Sequence, residues 1–164
     1  PGVTPEAATL SEAFGDKSPP VATQIGPGEF TSFFERYAAL GEKVDVVVFA
    51  APQLSLLEIK LVASLLDGRR VHEATSLIVT TSPEIKFAAD RMGLTALIEG
   101  AGGIVLSGVC FYQSYAREMA EANGWKRLVS NSAKLVNIIG GYGYKPTLQS
   151  MEKCIDSAVY GRIV

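Results

Sequence analysis

One histidine, one tryptophan and two cysteines stand among the 164 residues of this chain, and each scarcity closes off a class of chemistry. A serine hydrolase needs an imidazole beside its nucleophile. The only histidine, His72, falls in a loop ahead of the second strand, away from Ser55, Ser82 and Ser132, and reads as a surface residue. Two cysteines are too few for a disulfide scaffold and form no Cys-x-x-Cys pair, so Cys110 and Cys154 are thiols or ligands. Neither sign of charge dominates: 15 Lys and Arg face 17 Asp and Glu, for a net charge of −2. That balance, without a run of like charge, excludes nucleic acid and anionic membrane as partners and favours a small or polar one. The apolar runs Val44 to Pro52 and Leu56 to Leu66 are too short, or too interrupted by Glu58 and Lys60, to span a bilayer. No signal peptide is visible, so the cytoplasm is the expected address. There is no phosphate-binding P-loop, and the glycines of Gly100-Ala101-Gly102-Gly103 precede a strand instead of following one, so they form no dinucleotide fingerprint.

What the chain does hold is an ordinary core composition, 48% hydrophobic, enough for one compact domain. Its opening, Pro1-Gly2-Val3-Thr4-Pro5-Glu6, is polar and reads as part of a longer polypeptide. Residues 1–28 contain five of the eight prolines and read as a lead-in linker with one short helix over Thr9 to Phe14. The domain proper is expected over residues 29–164. Phe30, Phe33, Phe34, Tyr37 and Leu40 recur at helical spacing, which predicts an amphipathic helix from Glu29 to Leu40 stopped by Gly41. The β-branched run Val44 to Ala50 then reads as a strand buried on both faces. The pattern repeats: helix to Leu66, strand Ser76 to Thr81, helix Pro83 to Ile98 broken near Gly93, strand Ile104 to Cys110, helix Tyr115 to Ala122, strand Arg127 to Ser130, and helices Lys134 to Ile139 and Ser150 to Tyr160. Such alternation predicts a three-layer α/β domain, a mostly parallel sheet of about four strands with helices on both faces.

In an open parallel sheet, ligands gather beyond the carboxyl ends of the strands. There the four strands deliver Ala51-Pro52-Gln53-Leu54-Ser55, Thr80-Thr81-Ser82-Pro83, Gly108-Val109-Cys110-Phe111 and Ser130-Asn131-Ser132-Ala133-Lys134. Ser82 and Ser132 have the form of helix N-caps; capping alone explains each of them, and their convergence on one rim is what points to a site. Lys134, opposed to the helix dipole, faces either a ligand anion or solvent. Cys110 and Cys154 are either reactive or small core residues. Gly140-Gly141-Tyr142-Gly143-Tyr144 is a loop that borders the site or turns the chain.

Taken in order, Gly2-Val3-Thr4-Pro5-Glu6-Ala7, Ala51-Pro52-Gln53-Leu54-Ser55, Thr80-Thr81-Ser82, Cys110, Ser130-Asn131-Ser132-Ala133-Lys134 and Met151-Glu152-Lys153-Cys154-Ile155 resemble successive blocks of the aconitase X catalytic region. The resemblance implies an aconitase-like α/β domain of a hydro-lyase that carries part of an iron–sulfur site. Two substrates are implied: cis-3-hydroxy-L-proline, dehydrated to Δ1-pyrroline-2-carboxylate, or mevalonate 5-phosphate. The family's block after the first strand often reads Gly-Cys-Pro-His-Leu-Ser, whereas this chain has Ala50-Ala51-Pro52-Gln53-Leu54-Ser55. The missing thiolate fits the hydroxyproline branch, whose cluster is of the [2Fe-2S] type. By the same resemblance Cys110 and Cys154 are expected metal ligands, with a third supplied from outside the chain. Glu6, Ser132 and Lys134 are the expected catalytic groups, and Thr4, Ser55, Thr81, Ser82 and Asn131 the expected substrate-binding ones. The implied partners are a small hydroxy acid and the remaining domains of the same polypeptide, including a swivelling domain that supplies the base, so the chain alone is expected to be inactive. Two rivals remain: a non-catalytic Rossmann-like interface domain, and a phosphate-binding enzyme that uses the helix starts at Ser82 and Ser132.

Overall fold

Val46-Val47-Val48-Phe49 sits at the centre of the sheet because every one of these side chains is apolar and each is fully buried. Alternate residues point to opposite faces. Val47 and Phe49 enter one hydrophobic cluster, and Val46, Val48 and Ala50 enter another on the opposite side. The strand that carries them, β1 (Val46–Leu54), is flanked by β2 (Ser76–Thr81) and β4 (Arg127–Ser130), with β3 (Gly103–Ser107) and β5 (Lys145–Leu148) at the edges. The order is β3-β2-β1-β4-β5 and all four pairings are parallel. The computed structural model describes every residue except Pro1, Thr4, Asp16 and Pro19.

Contacts divide the chain into two compact units, residues 1–32 and 33–164. In the first, α1 (Leu10–Ala13) is a single turn closed by a capping box between Thr9 and Glu12, with no buried residue. Helix α2 (Pro27–Arg36) starts in this unit, where the Glu29 carboxylate accepts from the Gly26 amide at 2.7 Å. It ends before the expected Leu40, because Tyr37 and Ala38 already bond three residues back, to Phe34 and Glu35.

In the second unit, α3 (Leu56–Leu65), α4 (Pro83–Arg91), α5 (Leu94–Gly100) and α8 (Met151–Tyr160) cover one face of the sheet, packing Ile59, Ala89, Ile98 and Ile155 into the cluster that holds Val47 and Phe49. Helices α6 (Ala116–Asn123) and α7 (Ala133–Ile139) cover the other, with Ala116, Ala120, Leu135 and Ile139. This is the expected three-layer α/β architecture, with five strands where four were expected. The additional one, β5, carries Pro146, which removes a ladder donor and is tolerated on an edge strand. The third strand also stops earlier than expected, at Ser107, leaving Cys110 three residues along in the following loop. Gly103 opens β3 where no side chain fits: a Cβ there would stand 2.8 Å from Ile98 Cγ2 and 3.1 Å from the Ile98 carbonyl. Among the described residues, no helix is long and apolar enough to cross a membrane.

Candidate active site

The sheet grows outward from β1 to β3 on one side and then restarts at β4 on the other, so the switch in direction lies between β1 and β4. In an open α/β sheet the crevice beyond the carboxyl ends at such a switch is where ligands bind. Here β1 behaves unusually. Its pairing with β4 covers only Val46 and Val47, and its register with β2 jumps from Phe49↔Val79 to Leu54↔Thr81. Four residues of β1, Ala50 to Gln53, thus stand against Thr80 alone. The crook contains Ala51 in the left-handed region (φ 55) and a cis Ala51–Pro52 bond.

A strand that leaves its neighbours orphans its carbonyls, and buried carbonyls require donors. Four hydroxyls supply them. Ser130 Oγ donates to Val48 O at 2.7 Å, Thr80 Oγ1 to Phe49 O at 3.2 Å, Ser132 Oγ to Ala51 O, and Thr81 Oγ1 to Leu54 O at 2.7 Å. Gln53 adds a bond in the other direction, its Nε2 donating to the Val109 carbonyl at 2.9 Å. That contact fastens the segment bearing Cys110 over the end of β1. The same segment is held by Gly108 N donating to Thr81 O and by buried Phe111 packed on Tyr144 with ring centroids 6.1 Å apart, while the exposed Lys134 ammonium lies 5.8 Å from the centre of the Tyr112 ring. Burial pushes the Tyr144 phenol up to about 12, so it stays protonated and donates to the Ala116 carbonyl at 2.8 Å.

The expected site residues divide sharply in the fold. Thr81 is corrected from substrate contact to structural pin, since it is 0% exposed and its proton is given to Leu54. Ser132 is buried, accepts from the Leu135 amide as N-cap of α7, and has its proton committed to Ala51, so it has no donor left for a substrate. Ser55 closes a capping box with Glu58, and Ser82 caps α4 through the Ile85 amide at 3.3 Å. Asn131 is half-buried and Lys134 exposed, both at the carboxyl end of β4. Glu6 is an exposed turn residue of the first unit, and Thr4 lies outside the described residues.

The cysteines part company as well. Cys110 is half-buried in the rim segment. Cys154 is 0% exposed on the core-facing side of α8; its thiol donates to the Gln149 carbonyl at 3.8 Å, and burial, aided by the charge of Glu152, drives its pKa far up. A neutral, enclosed thiol is a poor metal ligand, because the thiolate is the form that binds. The ligand role expected of Cys154 is therefore corrected to core packing. Among the described residues no group of three His, Cys, Asp or Glu side chains is disposed to hold a metal. This chain alone does not fit an iron–sulfur cluster; it offers one rim thiol.

Gln53 lies in the rim block Ala51 to Ser55, where the sequence assigns it no role. Its signal was present in Pro52, since a proline inside a central strand demands a bend or bulge, and the residue after that bend is turned out of the ladder.

Comparison with known proteins bears on what this rim belongs to. The chain is 29% identical over 163 residues to a cis-3-hydroxy-L-proline dehydratase of Pseudomonas aeruginosa, covering 98% of this chain and 28% of the relative. It is 34% identical over 125 residues to a phosphomevalonate dehydratase large subunit of Methanocaldococcus jannaschii, covering 76% of this chain and 29% of that one. The crystal structure of Thermococcus kodakaraensis aconitase X in its holo-form superposes with a TM-score of 0.70 at 25% identity, over 80% of this chain and 33% of that chain. The chain thus spans under a third of the length of these two curated relatives. Residues 44–160 match the aconitase X third domain, and the chain belongs to the aconitase X family.

Proposed function

We propose that the protein containing this chain is a hydro-lyase acting on a small hydroxy acid, with residues 33–164 forming one wall of its active site. Both curated relatives are dehydratases by name, which supports the reaction class. The substrate favoured is cis-3-hydroxy-L-proline. The observation that carries this choice is Ala51: at the β1 crook, where the family block often bears cysteine, a methyl group stands and Ser132 grips its carbonyl. The crook therefore offers no thiolate, in keeping with the hydroxyproline branch.

Loss of water from this substrate requires the proton at C2 to leave and the C3 hydroxyl to depart with its electron pair as the ring double bond forms; the enamine then tautomerises to Δ1-pyrroline-2-carboxylate. The chain's own part is to bind and orient. Lys134 supplies a positive charge at the mouth of the β1–β4 crevice, and Asn131 a half-buried amide beside it, both suited to the substrate carboxylate. The hydroxyls of Ser130, Ser132, Thr80 and Thr81 hold the crevice wall in place for them. The base comes from outside residues 33–164.

Aconitase-type dehydratases generally use an iron–sulfur cluster. We assign Cys110 as this chain's contribution to a [2Fe-2S] cluster whose other ligands lie elsewhere in the protein. The intact protein, expressed anaerobically, should lose iron and acid-labile sulfide on Cys110→Ser and keep both on Cys154→Ser; unchanged loading in Cys110→Ser would sink the assignment. Incubation with cis-3-hydroxy-L-proline should give a trappable cyclic imine. Turnover of mevalonate 5-phosphate with no imine would reverse the substrate choice.

A further inference from the structure

Gln53 takes no part in the proposed binding or chemistry, yet among the described residues it makes the one side-chain hydrogen bond from β1 to the Cys110 segment, across 56 positions of sequence. A carbonyl oxygen only accepts, so the Val109 carbonyl requires the amide to present its NH2, and a donor is what this position must supply. Gln53 is exposed, yet its backbone is not free to move. The backbone on either side of Gln53 is pinned, Ala51 O by Ser132 and Leu54 O by Thr81. At the receiving end, Gly108 N is bonded to Thr81 O at 2.9 Å and Phe111 is buried, so Val109 and Cys110 form the short span between two fixed points. Gln53 ties down the middle of that span.

We propose that Gln53 is a positioning residue for Cys110: its amide donor, itself held by the hydroxyl-pinned crook of β1, fixes where the rim thiol stands over the β1–β4 crevice. The inference rests on the reading of Cys110 as the functional thiol of this rim, but its test does not depend on iron.

The measurement is the rate at which Cys110 displaces thiopyridone from a dipyridyl disulfide, a reagent that works from neutral into mildly acid solution, on the intact protein prepared iron-free. Peptide mapping separates Cys110 from Cys154, which is buried, stays unreacted and reports that the fold is intact. Gln53→Glu keeps the side chain's shape and turns the donor into a carboxylate facing a carbonyl; Gln53→Ala removes it. At neutral pH both should raise the rate about three- to ten-fold, the span expected from losing one hydrogen bond. As pH falls through the carboxyl range near 4.3, the protonated acid can donate again. The Gln53→Glu excess should then collapse toward the wild-type rate while that of Gln53→Ala persists, a pH signature that general loosening would not produce. Wild-type rates in both variants at neutral pH, or a Gln53→Glu excess that survives acidification, would overturn the proposal. Unchanged iron content in Cys110→Ser, by contrast, would remove the metal role and leave these rates standing.

Discussion

Replacing Ser132 by alanine removes two hydrogen bonds from one oxygen, and their values can be counted separately. As N-cap, Ser132 Oγ accepts from the Leu135 amide at 3.1 Å, and loss of such a cap costs about 1 kcal/mol. As donor, the same hydroxyl satisfies the carbonyl of Ala51, in a crook where β1 pairs with neither neighbour; leaving a partly buried acceptor unpaired costs about another 1 kcal/mol. Ser132→Ala should therefore destabilise the fold by about 2 kcal/mol, equivalent to a fall in Tm of roughly 6–8 °C for a chain of this size. Urea unfolding followed by circular dichroism measures it. Ser132→Thr keeps an oxygen with both capacities and should recover most of the loss. Ser132→Asp keeps a good cap but sets a carboxylate against the Ala51 carbonyl, so it should recover none of the second half. A change below about 0.5 kcal/mol in Ser132→Ala would refute the assignment of this hydroxyl to the β1 crook and return it to the pool of substrate contacts.

Other consequences follow from single groups. Thr81→Val replaces a buried hydroxyl with a methyl and strands the Leu54 carbonyl, so urea unfolding should show a loss of about 1–3 kcal/mol, whereas a mere substrate contact would leave stability unchanged. Gly103→Ala places a methyl 2.8 Å from Ile98 Cγ2 and beside a backbone oxygen that cannot yield, and should cost about 1–3 kcal/mol in the same assay. Asp45 is partly buried, which opposes its ionisation, but the amides of Arg127 and Lys126, each 2.8 Å from its Oδ2, together with Lys43 hold its carboxyl below the usual 3.8. Its folded pKa being depressed, the stability it contributes is present above the unfolded value and drains away as pH falls below it. Asp45→Asn should thus flatten that part of the acid-unfolding curve, measured by the urea midpoint from pH 6 down to pH 3.

Most of the architecture is legible because helical spacing and an uninterrupted β-branched run are written plainly. Val46 to Phe49 carries no polar residue and had to be buried on both faces, and the helix break at Gly93, with its left-handed φ of 74, was visible as a glycine inside an apolar repeat. The strand at Lys145 to Leu148 was hidden for a physical reason: four residues, one of them proline, following a Gly-Gly-Tyr-Gly turn, carry too little alternation to stand out. The polar rim at the carboxyl ends of the strands is legible in the sequence; what its side chains are spent on is not. Serine and threonine at the ends of β1, β2 and β4 do mark the rim, but the residues alone do not say which hydroxyls are spent on the backbone. That depends on β1 leaving its ladder between Phe49 and Leu54, a departure whose only written trace is Pro52.

The same departure settles what a polar group at this rim is free to do. A hydroxyl has one proton, and those of Ser130, Ser132, Thr80 and Thr81 are all given to carbonyls of β1. Breaking any of them to reach a substrate would uncover a carbonyl, at a cost comparable to the bond gained, so they contribute nothing net to binding. The groups with capacity to spare are those the crook pushes toward solvent or the fold leaves at its mouth: Asn131, the Lys134 ammonium and the thiol of Cys110. Polar residues at this rim thus fall into two populations, one spent on geometry and one available for chemistry. Residues of the first should tolerate only changes that keep a donor, while residues of the second should change function without changing stability. Lys134 is the cleanest case, since its charge stands exposed above Tyr112 and, among the described residues, bonds to no backbone group. Lys134→Ala should leave the unfolding midpoint within about 0.5 kcal/mol of wild type, as exposed substitutions do, while raising the substrate concentration needed for half-maximal dehydration. A loss of stability as large as that of Ser132→Ala, with substrate affinity unmoved, would place Lys134 in the first population and refute the carboxylate-binding role proposed for it.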